Sequence, residues 1–580
     1  MQLKTADSIT SCVIRHSFLS VTGVYILSTP LHFASINDIG GSTLWILSTF
    51  FILCGLYEIF SAFKEDRLNK KLLVILSIII PAVVLFLSRL YSTSKHKPVW
   101  ILVGGMALIA VLYYFSDRKK HQEELNIFLI TGLGTVLKFY YVLITSTNLR
   151  QHDVGKWGDT DCHKGYIEYI LNNHSLPDLN PMETWQFNHP PLHHILSAAW
   201  IGINENAFGV NHDIARDSIQ ILTLLYSILI VLLGIKIMQH FNVTGHALYL
   251  PLIILSFHPS LIYLAGSVNN DTLAACLVLA AIYVTLKWYQ DQSLKSIIIL
   301  ALLIGAGMMT KLSAGIIAPA IAIVFLMVLI SRFKKHTGVK QIIIQYGIFG
   351  LISLPLGLWF PIKEKIEWNM PLFYVSSPKI NSPQHIEESF LSRVFDFAPY
   401  QFKNVYEQFL RYKNDGPVGY NEHNPLIAAI KTSVFGEYIK NNTFDKIGSS
   451  TTNLFSFIIF WISVIIAILT AVALVYLLIR IRKMKADKDT KNMMIFVTAL
   501  IVFIMAGFYN LNYKLPFVCS MDFRYITTLV PISCLILGLV LNYSVLRNKD
   551  SHKEKLIVMY SFTSLFAFSS TVIIGALGLL

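Results

Sequence analysis

The chain has 580 residues, of which 54% are hydrophobic and only 14% charged, and its mean hydropathy is +0.57. Soluble domains carry about 25% charged residues, so this composition excludes a water-soluble protein. The formal net charge of +13 is spread over short segments between apolar blocks. That distribution excludes a continuous groove for nucleic acid and indicates membrane topology instead.

Apolar blocks recur along the whole chain, and a helix of about 20 apolar residues matches the ~30 Å hydrocarbon core of a bilayer. The blocks cover residues 15–33, 43–63, 72–90, 99–115, 125–146, 217–238, 246–265, 271–287, 296–309, 313–331, 341–360, 453–479, 492–510, 523–542 and 556–579. We therefore predict an all-α polytopic membrane protein with about 15 transmembrane helices.

Basic residues predict the orientation of these helices, because short loops rich in Lys and Arg stay in the cytoplasm. Basic clusters occur at alternate ends of the blocks, at residues 64–71, 118–120, 332–335, 480–485 and 547–555. The short loops at the opposite ends are nearly free of basic residues. This alternation predicts that the N-terminus lies inside and the C-terminus outside.

Two long segments, residues 147–216 and 361–452, fall on the outer side of the predicted membrane. Both are rich in aromatic residues and proline, which indicates ordered structure. Within the first, Pro190–Ile203 is a short apolar stretch flanked by polar residues. We expect an interfacial helix there, since counting it as a span would invert every later loop against the charge rule.

The first outer segment has an unusual density of reactive side chains. It contains the acids Asp153, Asp159 and Asp161 and the histidines His152, His163, His189, His193 and His194. A carboxylate at the membrane surface is partly desolvated, which raises its pKa toward the range of a general base. The alternative interpretation is a solvated loop without a chemical role.

Three later outer segments each carry one notable charged residue. Asp271 directly follows a turn between two spans, where it either caps the next helix or belongs to a site. Lys311 lies in an outer turn, where it either snorkels to water or is held for an anion. Arg524 either pairs with Asp522 or grips a phosphate through two parallel hydrogen bonds.

The four segments place acids, histidines and two cationic groups at one depth of the membrane. One chemical task uses this combination, the reaction of a hydroxyl with a sugar linked to a lipid phosphate. A carboxylate deprotonates the acceptor hydroxyl, and the cationic groups neutralise the phosphate that leaves with its lipid.

Seven motifs in order along the chain resemble the GT-C superfamily of polyprenyl-phosphate-sugar glycosyltransferases. They are RQHDVG (150–155), CHKGYIEYI (162–170), LPD (176–178), FNHPPLHHIL (187–196), SFHPSLIYLAGSVNNDTL (256–273), GMMTKLSAG (307–315) and PFVCSMDFRY (516–525). Within the superfamily the chain is similar to bacterial family 39-type proteins, which are related to protein O-mannosyltransferases and the lipid A aminoarabinose transferase.

The resemblance implies that an acid of the first outer segment is the general base of an inverting transfer. Asp153, inside RQHDVG, is the first candidate, and Asp159 is the alternative. Where some relatives have adjacent Asp and Glu, this chain has Asp159 followed by Thr160. The residues that the resemblance assigns to the donor phosphate or sugar are His163, His189, Asp271, Lys311 and Arg524.

The resemblance covers roughly residues 125–545 and implies three parts of the chain. These are an N-terminal four-helix membrane module (1–120), a GT-C-like catalytic core of roughly 11 helices (121–545) and a C-terminal helix (546–580). It implies a cytoplasmic-membrane enzyme with an extracytoplasmic active site, a polyprenyl-phosphate-linked sugar as donor, and an envelope polymer, protein or lipid as acceptor. No residue is assigned to a metal and no cofactor is required, although aspartates near a phosphate can bind a divalent cation.

Two other functional classes fit a polytopic membrane protein. A transporter or lipid-linked-sugar flippase usually has polar residues near the bilayer midplane and repeated halves, whereas these blocks are apolar inside and do not repeat. A scaffold without activity would use the outer segments as a binding surface.

Overall fold

The computed structural model describes residues 97–116, 118–402, 404–406, 410–413, 416–420, 422–440, 442–447, 450–483, 488–545 and 552–580. The predicted spans 15–33, 43–63 and 72–90 lie outside these residues, as does most of the predicted N-terminal module.

The described chain is predominantly helical. Its helices are α1 (Lys97–Phe115), α2 (Arg118–Leu143), α3 (Cys162–Asn173), α4 (Leu192–Asn206), α5 (His212–Asp217), α6 (Gln220–His240), α7 (His246–Phe257), α8 (Pro259–Ala265), α9 (Asp271–Asp291), α10 (Leu294–Thr310), α11 (Ala318–Lys335), α12 (Val339–Trp368), α13 (Phe390–Phe395), α14 (Pro425–Phe435), α15 (Ser450–Lys483), α16 (Lys488–Lys514), α17 (Leu529–Val540) and α18 (His552–Leu577). Short 3₁₀ turns at Leu312–Ile317, Val518–Met521 and Phe523–Ile526 connect some of them.

Eight of the described helices are long and apolar enough to cross a membrane, and the number rises to ten if each of two bent helix pairs is one span. Every block predicted from residue 99 onward coincides with a helix or a bent pair. The blocks 99–115 and 296–309 form shorter apolar helices, α1 and α10. The predicted fold class is therefore confirmed, and the described residues provide eight to ten candidate spans toward the predicted total of about 15.

Two helix pairs are bent. Helices α7 and α8 meet at 49°, because Pro259 begins α8 and His258 before it is extended. The two 3₁₀ turns within Val518–Ile526 meet helix α17 at 53°, and this bend lies at Thr527 and Thr528. Each bend brings a polar segment of the chain to the same end of the helices.

The first outer segment folds on a small apolar core of its own. Helix α4 confirms the helix predicted at Pro190–Ile203, and it packs against α3 and α5. The core combines residues of these helices with Val268 from the turn before α9. The second outer segment contains α13, α14 and an antiparallel ribbon of β1 (Leu410–Lys413) and β2 (Gly416–Tyr420). Helix α12 continues to Trp368, eight residues into the predicted outer segment, since prolines are tolerated inside membrane helices.

A larger apolar core runs through the spans. Its helices approach closely where glycine permits it. A Cβ atom on Gly134 of α2 would lie 2.6 Å from the backbone oxygen of Ser256 in α7. This close contact packs α2 against α7.

Candidate functional site

A cavity of about 860 Å³ lies where the outer segments meet the ends of the spans. The structure brings six of the seven predicted site residues to its wall: Asp153, His163, His189, Asp271, Lys311 and Arg524. They come from all four segments that the sequence singled out. Asp159, the seventh, does not line the cavity.

Gln151 ties the first outer segment to the turn before α9. Its side-chain amide donates to the Gly266 carbonyl at 2.8 Å, and its side-chain oxygen accepts from the Val268 backbone N–H at 3.0 Å. The His193 ring bonds the Val268 carbonyl at 2.7 Å. These bonds fix the two segments against each other, so that Asp153 and Asp271 face the same space.

Charged side chains form a chain across the cavity. The Arg524 guanidinium donates to Asp153 Oδ2 at 3.0 Å, and its Nη1 lies 3.9 Å from Asp271 Oδ2. On the far side Lys311 donates to Asp271 Oδ1. Arg524 and Lys311 also lie over the Tyr525 ring, 5.1 and 5.0 Å from its centroid. Two cations and two carboxylates therefore alternate beside one aromatic ring.

The geometry resolves the alternatives for three of these residues. Asp271 makes no capping hydrogen bond and pairs with Lys311, and Asn270 is the residue at the cap position of α9. Lys311 is 14% exposed and reaches Asp271 rather than open water. Asp522 accepts from the backbone N–H of Arg524 at 2.7 Å, while the guanidinium turns to Asp153.

Asp153 has a different electrostatic environment from the one predicted. Burial opposes its ionisation, but the Arg524 guanidinium and His152 outweigh burial and hold the pKa of Asp153 below its ordinary value. The expectation of a raised pKa is therefore wrong for this structure, because the sequence pattern did not show which cation the carboxylate meets. Asp153 also has a φ of +54°, a left-handed conformation that Asp and Asn tolerate better than most residues.

Asp159 lies on the surface of the first outer segment. Its side chain is exposed, and Oδ2 accepts from the Lys156 backbone N–H at 2.7 Å, closing a turn. The structure thus assigns this carboxylate a local structural contact away from the cavity.

Four histidine rings form a layer at the cavity wall. His163 Nδ1 lies 2.9 Å from His194 Nε2, and the His163 ring stacks on His189 and His194 with centroids 5.4 and 5.2 Å apart. His193 and His194 are buried behind the wall, and the Tyr166 ring stacks on His194 at 4.1 Å. Burial lowers the pKa of His193 to about 4 and holds those of His163 and His194 well below the ordinary value. The layer is therefore neutral at physiological pH, and two of its rings, His163 and His189, line the cavity.

The neutral rings predict a loss of stability in acid. A group whose pKa is depressed by folding stabilises the native state above its unfolded pKa, about 6.5 for histidine, and opposes folding below it. As the pH falls from 7 to 5, we expect the free energy of unfolding to decrease by about 2 kcal/mol for each of the rings His163, His193 and His194 that stays neutral in the folded protein. Unfolding of the purified protein followed between these pH values measures this slope.

His193→Gln should reduce the acid loss, since glutamine can donate to the Val268 carbonyl and does not titrate. The matched control His174→Asn, at an exposed histidine of the same segment, should leave the slope unchanged. A stability that is independent of pH in the unmodified protein would show that the buried rings protonate without penalty.

Three further residues meet beside the cavity, and the sequence analysis did not predict that they would lie together. His152, Glu437 and Asp522 each offer one ligand atom, and these atoms lie within 4.8 Å of one another. Among the described residues they are the one group of His, Cys, Asp or Glu close enough to hold a metal ion. His152 adjoins Asp153 in the sequence, so its position near the cavity could have been predicted. Nothing in the sequence around Glu437 distinguishes it from other acidic residues of the second outer segment.

Fold and site together define a polytopic helical membrane protein with a charged, histidine-lined cavity at one end of its spans. Residues 188–359 match the family described as dolichyl-phosphate-mannose-protein mannosyltransferase. The matched segment includes His189, Asp271 and Lys311. This match confirms the resemblance to the GT-C superfamily that the motifs predicted, and it supports a membrane glycosyltransferase of the GT-C type.

A solved structure is also similar to this chain. It is the crystal structure of ArnT from Cupriavidus metallidurans in the apo state, and its sequence is 14% identical to this one. The match covers 71% of this chain and 76% of the ArnT chain, with a TM-score of 0.31. A TM-score of this size is too low to compare the two chains element by element. None of the curated proteins matches the chain.

Proposed function

We propose that this protein is an inverting glycosyltransferase that moves a sugar from a polyprenyl phosphate to an acceptor hydroxyl on the outer face of the cytoplasmic membrane. The observation that carries the proposal is the convergence of Asp153, Asp271, Lys311 and Arg524 on one cavity. Similarity of residues 188–359 to a mannosyltransferase family supports sugar transfer as the reaction class.

The proposed reaction is a single displacement at the anomeric carbon. Asp153 takes the proton from the acceptor hydroxyl, the new bond forms between that oxygen and the anomeric carbon, and the bond from the anomeric carbon to the phosphate oxygen breaks. The electron pair of the broken bond leaves on the polyprenyl phosphate. Arg524 and Lys311 are placed to receive this charge, because both reach the same part of the cavity.

The ion pair between Arg524 and Asp153 gives this site a way to couple donor binding to base activation. A donor phosphate that takes over the guanidinium releases Asp153 from the cation that lowers its pKa. The carboxylate then becomes a stronger base only when the donor is present. Such coupling protects the base from competing reactions before the donor arrives.

The histidine layer and the aromatic part of the wall supply the sugar site in this proposal. His163 and His189 face the cavity with neutral rings that donate or accept hydrogen bonds. The acceptor is an envelope polymer, a protein or a lipid, and it approaches from the outer segments. With basic loops in the cytoplasm, the cavity opens on the extracytoplasmic side.

The proposal is tested by comparing cell-envelope glycans of a strain that lacks the gene with those of a strain that has it. We expect one sugar substituent to disappear from one envelope component, and its polyprenyl-phosphate precursor to accumulate. The gene carried on a plasmid should restore the substituent. Unchanged glycans together with altered sidedness of the lipid-linked sugar would overturn the proposal in favour of a flippase.

A further inference from the structure

His152, Glu437 and Asp522 form a compact cluster from three distant parts of the chain. His152 Nδ1 lies 2.8 Å from Glu437 Oε2, and His152 Nε2 lies 3.6 Å from Asp522 Oδ2. The two carboxylates face different nitrogens of the ring, but one ligand atom of each residue lies within 4.8 Å of the other two, and ligands of one metal ion bound at about 2.1 Å stand about 3 to 4 Å apart. An ion would take one ring nitrogen, so a turn of the ring or of one carboxylate is needed to bring the three ligand atoms to coordinating distance.

One carboxylate oxygen of the cluster has no hydrogen-bond partner although it is buried. The Asp522 side chain is 6% exposed, and its Oδ2 makes no hydrogen bond. The other oxygen, Oδ1, accepts from the Arg524 backbone N–H at 2.7 Å, which aims Oδ2 at His152. A cavity of about 30 Å³ touches His152 and Asp522, and that volume suffices for a small ion or one water molecule.

Glu437 and Asp522 both pair with His152, and one imidazolium would offset only one of the two carboxylates. Arg524 is 3.0 Å from Asp153, and Lys311 bonds Asp271, so the two buried cations are matched by two carboxylates. Glu437 and Asp522 add two more negative charges around a single imidazole. Lys440 also lines the main cavity, but its side chain is exposed at the rim. A divalent cation would balance the two additional carboxylates.

The local fold holds these three side chains in place. Gly436 ends α14 with a φ of +58°, and a Cβ atom there would meet the Tyr438 ring at 2.9 Å. Glycine at this position lets the chain leave the helix so that Glu437 points to the cluster. The Tyr438 ring then packs on the His152 ring, with centroids 4.9 Å apart.

We propose that His152, Glu437 and Asp522 bind one divalent first-row transition-metal ion, such as Mn²⁺ or Zn²⁺, beside the charged cavity. One imidazole nitrogen and two carboxylate oxygens suit these ions better than Mg²⁺, which prefers oxygen ligands alone. The ion extends the proposed function: it offsets negative charge next to Arg524, so an anionic donor meets a less repulsive cavity.

The test measures metal binding without any sugar donor. The purified full-length protein is treated with a chelator, dialysed, and titrated with MnCl₂ while the signal of free Mn²⁺ is followed by electron paramagnetic resonance. Calorimetry with ZnCl₂ gives a second measurement. We expect one ion per chain, and we expect Glu437→Gln and Asp522→Asn each to weaken binding by at least about 10-fold.

The matched control is Asp396→Asn, which removes another carboxylate paired with a histidine, 2.5 Å from His423, in the same outer segment. It should bind the ion as the unmodified protein does. Thermal unfolding of every variant verifies that it is folded. The site would be overturned if the unmodified protein binds no stoichiometric ion, or if Glu437→Gln and Asp522→Asn bind the ion as tightly as the unmodified protein. Either result would show that His152 bridges two carboxylates as a charged imidazolium. Because no donor is present, this failure is distinguishable from failure of glycosyl transfer.

Discussion

Asp153→Asn should reduce sugar transfer by about 10²- to 10⁴-fold, the range over which a positioned general base accelerates a reaction. The amide keeps the shape of the carboxylate but cannot accept the acceptor proton. Asparagine also tolerates the left-handed backbone at this position, where φ is +54°. The protein should therefore fold and insert normally while its turnover is lost. Transfer of radiolabelled sugar from the polyprenyl-phosphate donor by the purified variant measures the effect.

Asp159→Asn is the matched control for this experiment, because it makes the same chemical change in the same outer segment. Its carboxylate is exposed and closes a turn with Lys156. We expect transfer within about 2-fold of the unmodified rate, since surface substitutions away from special features have small effects. The opposite ranking, with Asp159→Asn inactive and Asp153→Asn active, would assign the base to the alternative acid.

Donor dependence provides a second readout of the same variant. If a donor phosphate displaces Asp153 from Arg524, the neutral amide of Asp153→Asn should compete less for the guanidinium. The variant should then bind the donor at least as tightly as the unmodified protein, while turnover falls. Weaker donor binding in this variant would contradict the proposed exchange of partners at Arg524.

The helices were predictable because each span must satisfy its own backbone hydrogen bonds in lipid, which links apolar length directly to helix position. Every described block from residue 99 onward follows this rule, including the two that bend. The bends themselves depend on local backbone geometry. Pro259 signals the first bend, and the second, at Thr527 and Thr528, has no comparable sequence signal.

The sequence predicted which charged residues lie near the cavity better than it predicted which of them form ion pairs with each other. Charged residues at the ends of apolar blocks share a depth, so Asp153, Asp271, Lys311 and Arg524 were expected near one another. Which carboxylate meets which cation depends on how the outer segments fold, through contacts such as those of Gln151 with the turn at Gly266. For the same reason the direction of the Asp153 pKa shift could not be read from the pattern.

Glu437 shows the limit of sequence patterns most directly. It lies in a long outer segment far from the motifs, and it reaches the cavity only because Gly436 redirects the chain after α14. A single sequence gives no signal for a contact between residues 152 and 437, because no local sequence pattern links residues so far apart. Such contacts follow from the tertiary fold alone.

Lys311→Met should destabilise the protein by about 3 kcal/mol and also abolish transfer. The substitution keeps the length of the side chain but leaves the Asp271 carboxylate, 6% exposed, without its cation. Breaking a buried ion pair costs about 3–5 kcal/mol, and the lower figure applies here because Arg524 still lies 3.9 Å from Asp271. Denaturant unfolding of the purified variant measures the free energy, and the radiolabelled transfer reaction measures the activity.

The double variant Lys311→Met with Asp271→Asn separates the structural role of this pair from its chemical role. Neutralising both partners removes the uncompensated charge, so stability should return to within about 1 kcal/mol of the unmodified protein. Transfer should remain lost, because no cation is left at this position to receive the phosphate charge. Recovery of both stability and transfer would show that Lys311 serves Asp271 alone.

A control for the size of the effect is Glu367→Gln, which breaks the ion pair of Glu367 with Lys363 near the end of α12 and leaves the buried Glu364 its lysine. The Glu367 side chain is 44% exposed and that of Lys363 27%, so water screens the pair and the expected cost is at most about 1 kcal/mol. A cost for Lys311→Met no larger than that for Glu367→Gln would mean that solvent reaches Asp271, and the charged cavity would then lack the low dielectric that makes Lys311 effective on a leaving phosphate.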